Sequence, residues 1–287
     1  MTEQYGDAAG LVERSAAAFV EAIPEQPADD GYFGPGSATW RLAADLAAPV
    51  AGLRALLMQA LHPLAMAGVD QHSDWRRDPV GRLAATGAYL ATITFGDRAT
   101  ADRAAARVRR IHEHVTGNDT VTGKPYTASD PSLLLWVHAT FVDSGLVAAQ
   151  LFGTPPQPPD VYIREMSIAA ELLGVPHDLL PQDARALGEY MNVVRSELEL
   201  TPAARESSSY LLDPPGMDED IAELWQDIRD AVLIALPDWA LDMYGFQRPP
   251  DRREEIRATL GVLDAVFLGE PGVLEARQRI TLRIRAA

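Results

Sequence analysis

The sequence predicts an all-α fold, and three observations lead to this prediction. Apolar residues recur at three- and four-residue spacing through most of the chain. Alternating apolar and polar stretches, which are typical of strands, are scarce. Prolines and glycines separate the apolar segments at intervals of helix length. With 287 residues and 47% hydrophobic content, the chain can bury a sizeable core of helices packed on helices.

The order of elements follows from the caps and breakers. We predict an N-terminal helical arm in residues 1–32 and one multi-helix domain in 33–287, with a core at 33–152 and a C-terminal helical part at 160–287. A proline-rich linker at 153–159 joins the two parts. The predicted helices lie at about 8–23, from Ser37 past Asp45, 51–66 with a bend at Pro63, 79–95, 100–116, 131–152, 160–173, 181–198, 201–211, 218–235, 237–244, 252–267 and 273–285, with a turn or hairpin at 120–129.

Composition excludes several classes of protein. The absence of cysteine rules out disulfides, cysteine-bound zinc, iron–sulfur clusters and thiolate-bound haem. A net charge of −16 opposes binding to nucleic acid and to anionic membranes. The longest apolar candidate for a membrane span, residues 46–69, contains Arg54 and two prolines, and the N-terminus lacks the features of a signal peptide. We therefore expect a cytoplasmic protein without a membrane span.

One helix places a histidine on its apolar side. Val108, Ile111, His112 and Val115 recur at the spacing of a single buried face, whereas His114 lies about 200° around the helix from His112. We expect this helix to end at Gly117 with a left-handed cap. A histidine on an apolar face is commonly a hydrogen-bonded core residue, so His112 alone does not establish a site.

Other basic groups occur on neighbouring helices. Arg109 lies one turn before His112, Arg82 and Thr86 are four residues apart, and His138 lies within an apolar helix. Charges buried without partners cost several kcal/mol. An anionic cofactor with a central metal would supply those partners, and haem fits because its iron accepts imidazole and its propionates accept arginine. These residues also have simpler interpretations. Arg82 could be an ordinary solvated charge, and His62 could only occupy the bend before Pro63.

These residues resemble a known family. In their order and spacing they are similar to the catalytic domain shared by latex-clearing rubber oxygenases and MpaB-type oxygenases. The matching motifs are Phe33-Gly34-Pro35-Gly36-Ser37-x-Thr39-Trp40, Gln59-x-x-His62-Pro63, Gly68-Val69, His72-Ser73, Asp78-Pro79, Arg82-Leu83-x-x-Thr86, Phe95-Gly96, Arg109-x-x-His112, Gly123-x-Pro125-Tyr126, Asp130-Pro131 and Trp136-Val137-His138.

The resemblance implies a globin-like helical core that binds haem b. It makes His112 the proximal iron ligand, with Arg109 pairing a propionate or the local network. Arg82 and Thr86 become the catalytic pair on the distal side. We add His138 and His62 as further cofactor-binding candidates. The family motif has a lysine between the arginine and the threonine, and Ala85 replaces it here, so lysine gating is not expected.

The resemblance also implies a function. We expect an oxygenase that uses dioxygen on an apolar small molecule, with cleavage of an isoprenoid double bond as one reaction, and with a redox partner or a second copy of the chain as partners. No counterpart of the rubber enzymes' catalytic glutamate is identified. Two alternatives remain open. One is a non-haem metal site of His62, His112 and His138 with Asp78 or Asp143; the other is a haem-binding module without turnover.

Overall fold

A computed structural model describes residues 9–214 and 219–286. The described chain is all-α, as predicted, apart from one two-stranded sheet. Its helices and strands are α1 (Ala9–Ala22), α2 (Ala38–Ala43), α3 (Ala48–Ala60), α4 (Pro63–His72), α5 (Pro79–Phe95), α6 (Arg98–His112), β1 (Thr116–Asn118), β2 (Pro125–Thr127), α7 (Pro131–Phe152), α8 (Pro159–Leu173), α9 (Ala184–Val194), α10 (Pro202–Leu212), α11 (Glu219–Ala235), α12 (Asp238–Tyr244), α13 (Arg253–Gly269) and α14 (Val273–Ala286), with short 3₁₀ turns at His177–Leu179 and Arg195–Glu197.

Helices α3 and α7 pack against each other at the centre of the main core. Gln59 at the end of α3 meets the start of α7, where its backbone oxygen accepts from Trp136 Nε1 at 3.3 Å. Arg54, earlier on α3, meets Ser144, later on α7. The two helices are therefore antiparallel. Their shared face is fully buried and continues into α8, α11, α12 and α13, so burial of apolar area fixes this pair.

A buried arginine ties three helices together. Arg54 donates from NH1 to Ser144 Oγ at 2.7 Å and from Nε to the Ala235 carbonyl at 2.8 Å. Its NH2 lies 2.7 Å from Asp143 Oδ2, and the Arg54 side chain is only 3% exposed. The carbonyl of Ala235 belongs to the last turn of α11, where carbonyls lack helical partners. One guanidinium thus satisfies groups from α7 and α11 together.

The apolar segment 51–66 breaks more sharply than predicted. Helix α3 ends at Ala60, and α4 begins at Pro63 with a bend of 103° between the two. Pro63 at the first position of α4 lacks the N–H that would continue a helix, while its fixed φ suits a helix start. The Leu61 carbonyl accepts instead from Glu199 N at 2.8 Å.

Helices α5 and α6 form the other wall of the candidate site. Asp78 caps α5 by accepting from Gly81 N, and Asp97 caps α6 by accepting from Thr100 N. Helix α5 packs along α1, α2 and α6, and α6 also packs on α8. The N-terminal helix α1 therefore lies directly on α5, and α13 and α14 cover its other sides.

The end of α6 differs from the prediction. The helix stops at His112, and residues 116–118 form β1, paired antiparallel with β2. The expected left-handed glycine cap at Gly117 was wrong, because Gly117 pairs with Tyr126 across the sheet. Ile111, expected on the buried face, is 53% exposed. Ala101 and Ala105, at the same side of α6 as His112, form the buried face instead.

Helix α7, which lies at its predicted position, is long and apolar. Within the described ranges it is the single straight helix with the length and hydropathy to cross a membrane, and 56% of that stretch is buried inside the protein. Helices α3 and α4 meet the same criterion only if they are joined across their 103° bend. Burial of α7 against α3 and α8 is the arrangement of a core helix.

We predict that Arg54→Ala lowers the free energy of unfolding by about 3 kcal/mol, because it leaves the Asp143 carboxylate without its cation. Chemical denaturation followed by circular dichroism measures this change. The double variant Arg54→Met with Asp143→Leu should recover part of the loss, since it removes both charges. Equal stability of Arg54→Ala and the wild type would contradict the structural role given to this ion pair.

Candidate functional site

Arg82 and Thr86 form a linked pair on α5. Arg82 NH1 donates to Thr86 Oγ1 at 2.9 Å, and Thr86 Oγ1 donates to the Arg82 carbonyl at 3.0 Å. Throughout residues 9–214 and 219–286, no carboxylate lies within ion-pair distance of Arg82. The surrounding protein lowers the pKa of Arg82 by desolvation. The guanidinium is therefore oriented by a hydroxyl but left without a counter-ion.

His112 lies on the last turn of α6, on the side that faces Arg82. Its ring is partly buried, and no hydrogen-bond partner for it occurs in the part of the chain that the structure describes. Desolvation, with a smaller contribution from the charge of Arg82, lowers the pKa of His112. The imidazole is thus neutral near pH 7, which is the form that binds a metal.

His138 is the third group without a partner. Protein surrounds it on α7, and this desolvation lowers its pKa to about 4. The ring is nevertheless only partly buried by accessible area. It shares one face of α7 with Phe141 and Gly145, which follow at three and seven residues. Among the described residues it makes no hydrogen bond, so both ring nitrogens are free to bind something else.

Arg82 and His138 share an informative combination of properties. Neighbouring protein atoms desolvate each side chain, yet Arg82 remains exposed and His138 partly exposed. Water therefore still reaches both side chains. Phe141 and Gly145 line a cavity together with Leu90 of α5, which places α5 and α7 on opposite sides of that space. The structure thus directs the face of His138 toward the helix of Arg82 and Thr86.

Arg109 acts on the position of α6. Its guanidinium donates to the carbonyl of Leu172, at the end of α8. This bond joins α6 to α8 one turn before His112. The positive charge of Arg109 also acts to lower the pKa of Tyr89, on α5. Tyr89 was not among the site residues predicted from the sequence.

Tyr89 is a buried hydroxyl with no partner. Burial raises its pKa to about 12, against the opposing effect of Arg109, and its Oη has no hydrogen bond among the described residues. Its spacing of seven residues from Arg82 puts it on the same side of α5. That spacing was visible in the sequence, but the missing partner was not.

His62 is placed apart from the other candidates. Its ring packs near Trp136, with 6.3 Å between ring centroids, and its Nε2 lies 3.9 Å from Glu197 Oε2. Trp136 and His138 are two residues apart and so point to opposite sides of α7. Burial lowers the pKa of His62, and Glu197 opposes this shift. Among the predicted site residues, Thr86 bonds to Arg82 and the charge of Arg82 acts on His112, whereas the described contacts of the His62 ring are with Trp136 and Glu197.

The alternative non-haem metal centre finds no support in the geometry. Asp78 is used as the cap of α5 and in an ion pair with Arg14, and Asp143 is paired with Arg54. Over the described ranges, no three histidine, aspartate or glutamate side chains come close enough together to hold a metal ion. The alternative site of His62, His112 and His138 stays a prediction that no cluster among the described residues supports.

The comparison with known families now decides the affiliation. Residues 40–265 match the sequence profile described as ER-bound oxygenase mpaB/B'/Rubber oxygenase, catalytic domain. The protein belongs to this oxygenase family. The match covers most of the chain and confirms the resemblance predicted from the motifs. No curated protein and no solved structure gives a significant match.

Membership of the mpaB/rubber oxygenase family supports an oxygenase function for this chain. The match includes every helix that contributes Arg82, His112 or His138. The roles of those residues, the haem and the likeness of the helical core to a globin remain predictions.

We predict that His138 makes the protein less stable in acid. The unfolded chain takes up a proton at His138 below about pH 6.5, whereas the folded chain takes it up only near pH 4. Stability contributed by neutral His138 is therefore present above pH 6.5 and is lost as the pH falls toward 4. In His138→Asn, the loss of unfolding free energy over this window should be smaller by about 2 kcal/mol. Urea unfolding at several pH values measures it, and parallel profiles for variant and wild type would contradict it.

Proposed function

We propose that the protein is a haem b-dependent oxygenase that uses dioxygen on an apolar small molecule. One observation carries the proposal. Among the described residues of this oxygenase-family chain, the Arg82 guanidinium has no carboxylate partner and the His112 and His138 imidazoles have no hydrogen bond. An anionic cofactor whose metal takes a neutral imidazole would satisfy them.

The residues fit haem by the chemistry of their donors. His112 is neutral because of desolvation, and would hold the iron through its free ring nitrogen. The orphaned Tyr89 hydroxyl and the unpaired Arg82 are donors suited to an anionic group or to bound oxygen. The chain has no cysteine, which excludes thiolate ligation, and His112 is the ligand that we propose. Haem supplies a redox-active iron at which dioxygen is activated.

The remaining chemistry would come from the side chains. Thr86 holds the Arg82 guanidinium in place at 2.9 Å. A fixed cation in a partly desolvated site stabilises negative charge that develops on oxygen. Arg109 holds α6 against α8 and so would keep the ring of His112 in position. Ala85 replaces the lysine of the family motif. Because Ala85 has no amine, it could not bind the iron.

The substrate would be apolar. The space between α5 and α7 is bordered by Leu90, Phe141 and Gly145, and the net charge of −16 disfavours anionic substrates. Such a lining accepts hydrocarbon and excludes bulk water. Oxidative cleavage of an isoprenoid double bond is the reaction of this kind that we propose first.

The His112→Ala variant tests the cofactor and its ligand. We expect the purified wild type to show the Soret band of a ferric haem protein, at about 400 nm. The variant should lose this band. His114→Ala is the matched control, because His114 is exposed and hydrogen-bonds only to the Arg110 carbonyl. A Soret band of full intensity in His112→Ala would remove His112 as the ligand. A wild type that neither contains nor takes up haem would refute the cofactor.

The Arg82→Ala variant tests whether the Arg82 guanidinium takes part in the oxygen chemistry. We expect it to retain haem while oxygen consumption with an isoprenoid substrate falls by about 100-fold, the loss typical for removal of a fixed donor to a developing anion. Thr86→Val should lower oxygen consumption by less, because it removes only the hydrogen bond that orients the Arg82 guanidinium. Arg107→Ala, an exposed arginine on α6, is the control. Turnover unchanged by Arg82→Ala would exclude Arg82 from the mechanism.

A further inference from the structure

A second feature lies at the far end of the same internal face. A half-open cavity of about 130 Å³ is lined by the corner between α2 and α3, by α5, by α7 and by α8. Small residues make up most of its α2–α3 wall, and Leu90, Phe141 and Met166 contribute larger apolar groups. An engineered apolar cavity of roughly 150 Å³ holds benzene. The space therefore suits a unit of about five or six carbon atoms.

Two hydroxyl groups open into this cavity. Thr94 is 7% exposed and Tyr162 is 6% exposed, and both line the space. Neither hydroxyl forms a hydrogen bond with any residue that the structure describes. Neither hydroxyl oxygen is fully occluded by protein. Their remaining accessible surface is directed into the cavity.

Thr94 differs from the other threonines of its helix. Thr86 and Thr92 each donate to the carbonyl four residues earlier, at 3.0 and 2.8 Å. Such back-bonding is the usual arrangement for a helical threonine. Thr94 does not make this bond, so its hydroxyl is available to a molecule in the cavity.

Tyr162 reaches the cavity because α7 has a glycine opposite it. A Cβ at position 145 would lie 2.6 Å from Tyr162 Oη, closer than real Cβ atoms come to other atoms. Gly145 therefore leaves room for the phenol. Glu165, one turn further along α8, fixes the facing wall by accepting from the backbone N–H groups of Ala38 and Thr39. The phenol has a defined position in a rigid wall.

We propose that this cavity binds the oxygen-bearing end of the apolar substrate, with Thr94 and Tyr162 donating to one hydroxyl or carbonyl oxygen. Leaving a buried polar group unsatisfied costs about 1–3 kcal/mol, and a ligand oxygen between the two donors removes that cost. The apolar lining of the cavity accepts the carbon atoms next to the oxygen.

The position of the cavity specifies the length of the substrate, and this step rests on the proposed function. Thr94 is eight residues beyond Thr86, a distance of about 12 Å along the helix. The carbon atom that reacts near Arg82 and Thr86 would therefore lie about 12 Å from the oxygen atom held by Thr94 and Tyr162. The substrate class is an extended apolar chain with an alcohol or ketone at one end, such as an isoprenoid alcohol.

Binding of two small probes tests the polar end of the site. Cyclohexanol and methylcyclohexane have similar size and differ in the hydroxyl. By isothermal titration calorimetry on the purified full-length protein, we expect the wild type to bind cyclohexanol more tightly. Thr94→Val and Tyr162→Phe should each weaken cyclohexanol by about fivefold and leave methylcyclohexane unchanged. Thr92→Val is the matched control, since its hydroxyl is already bonded to Ala88.

The outcomes separate this inference from the proposed function. Equal binding of both probes, or cyclohexanol binding that neither variant weakens, would overturn the inference. The discrimination between probes does not require haem or turnover. A protein that discriminates but shows no haem would keep the binding site and refute the oxygenase proposal. A protein that contains haem but binds both probes equally would keep the oxygenase proposal and overturn the inference about the cavity.

Discussion

The antiparallel pair of α3 and α7 is the constraint on which the rest of the structure depends. These helices are almost entirely apolar on their shared face, and such faces would slide along each other if packing alone held them. Arg54 prevents this, because its guanidinium can meet Ser144, Asp143 and the Ala235 carbonyl at only one relative position. A directional polar contact inside an apolar interface sets the register, while the apolar area supplies the stability. Every group that α7 directs into the internal space depends on that register.

The sequence predicted helix starts well where the signal is local. Helices α5 and α7 begin at Pro79 and Pro131, as expected from an aspartate cap followed by proline. The end of α6 could not be predicted in the same way. Pairing of residues 116–118 with 125–127 competes with the helix, and this pairing is a contact between separate segments. The exposure of Ile111 follows from the same early end, because the chain turns away before that side chain can pack.

The candidate site shows the same division. Spacing within one helix identified Arg82 with Thr86, and Arg109 with His112. The motif order identified the family. Tyr89, Thr94 and Tyr162 were not selected, because their significance lies in partners that are missing from the folded structure, and a linear sequence does not show missing partners. His62 was included because it lies within the motif order, and the structure places its ring near Trp136 and Glu197.

The two faces of α7 have a consequence for how the substrate range of this protein can change. Arg54 holds α7 in place through Asp143 and Ser144, and Phe141 and Gly145 of α7 line the cavity. Substitution at Phe141 alters the width of the cavity, whereas a side chain at position 145 would collide with Tyr162 Oη. Selection can therefore adjust the length or branching of the accepted molecule in single steps. The reactive end of the site, on α5 and α6, would remain in place while it does so.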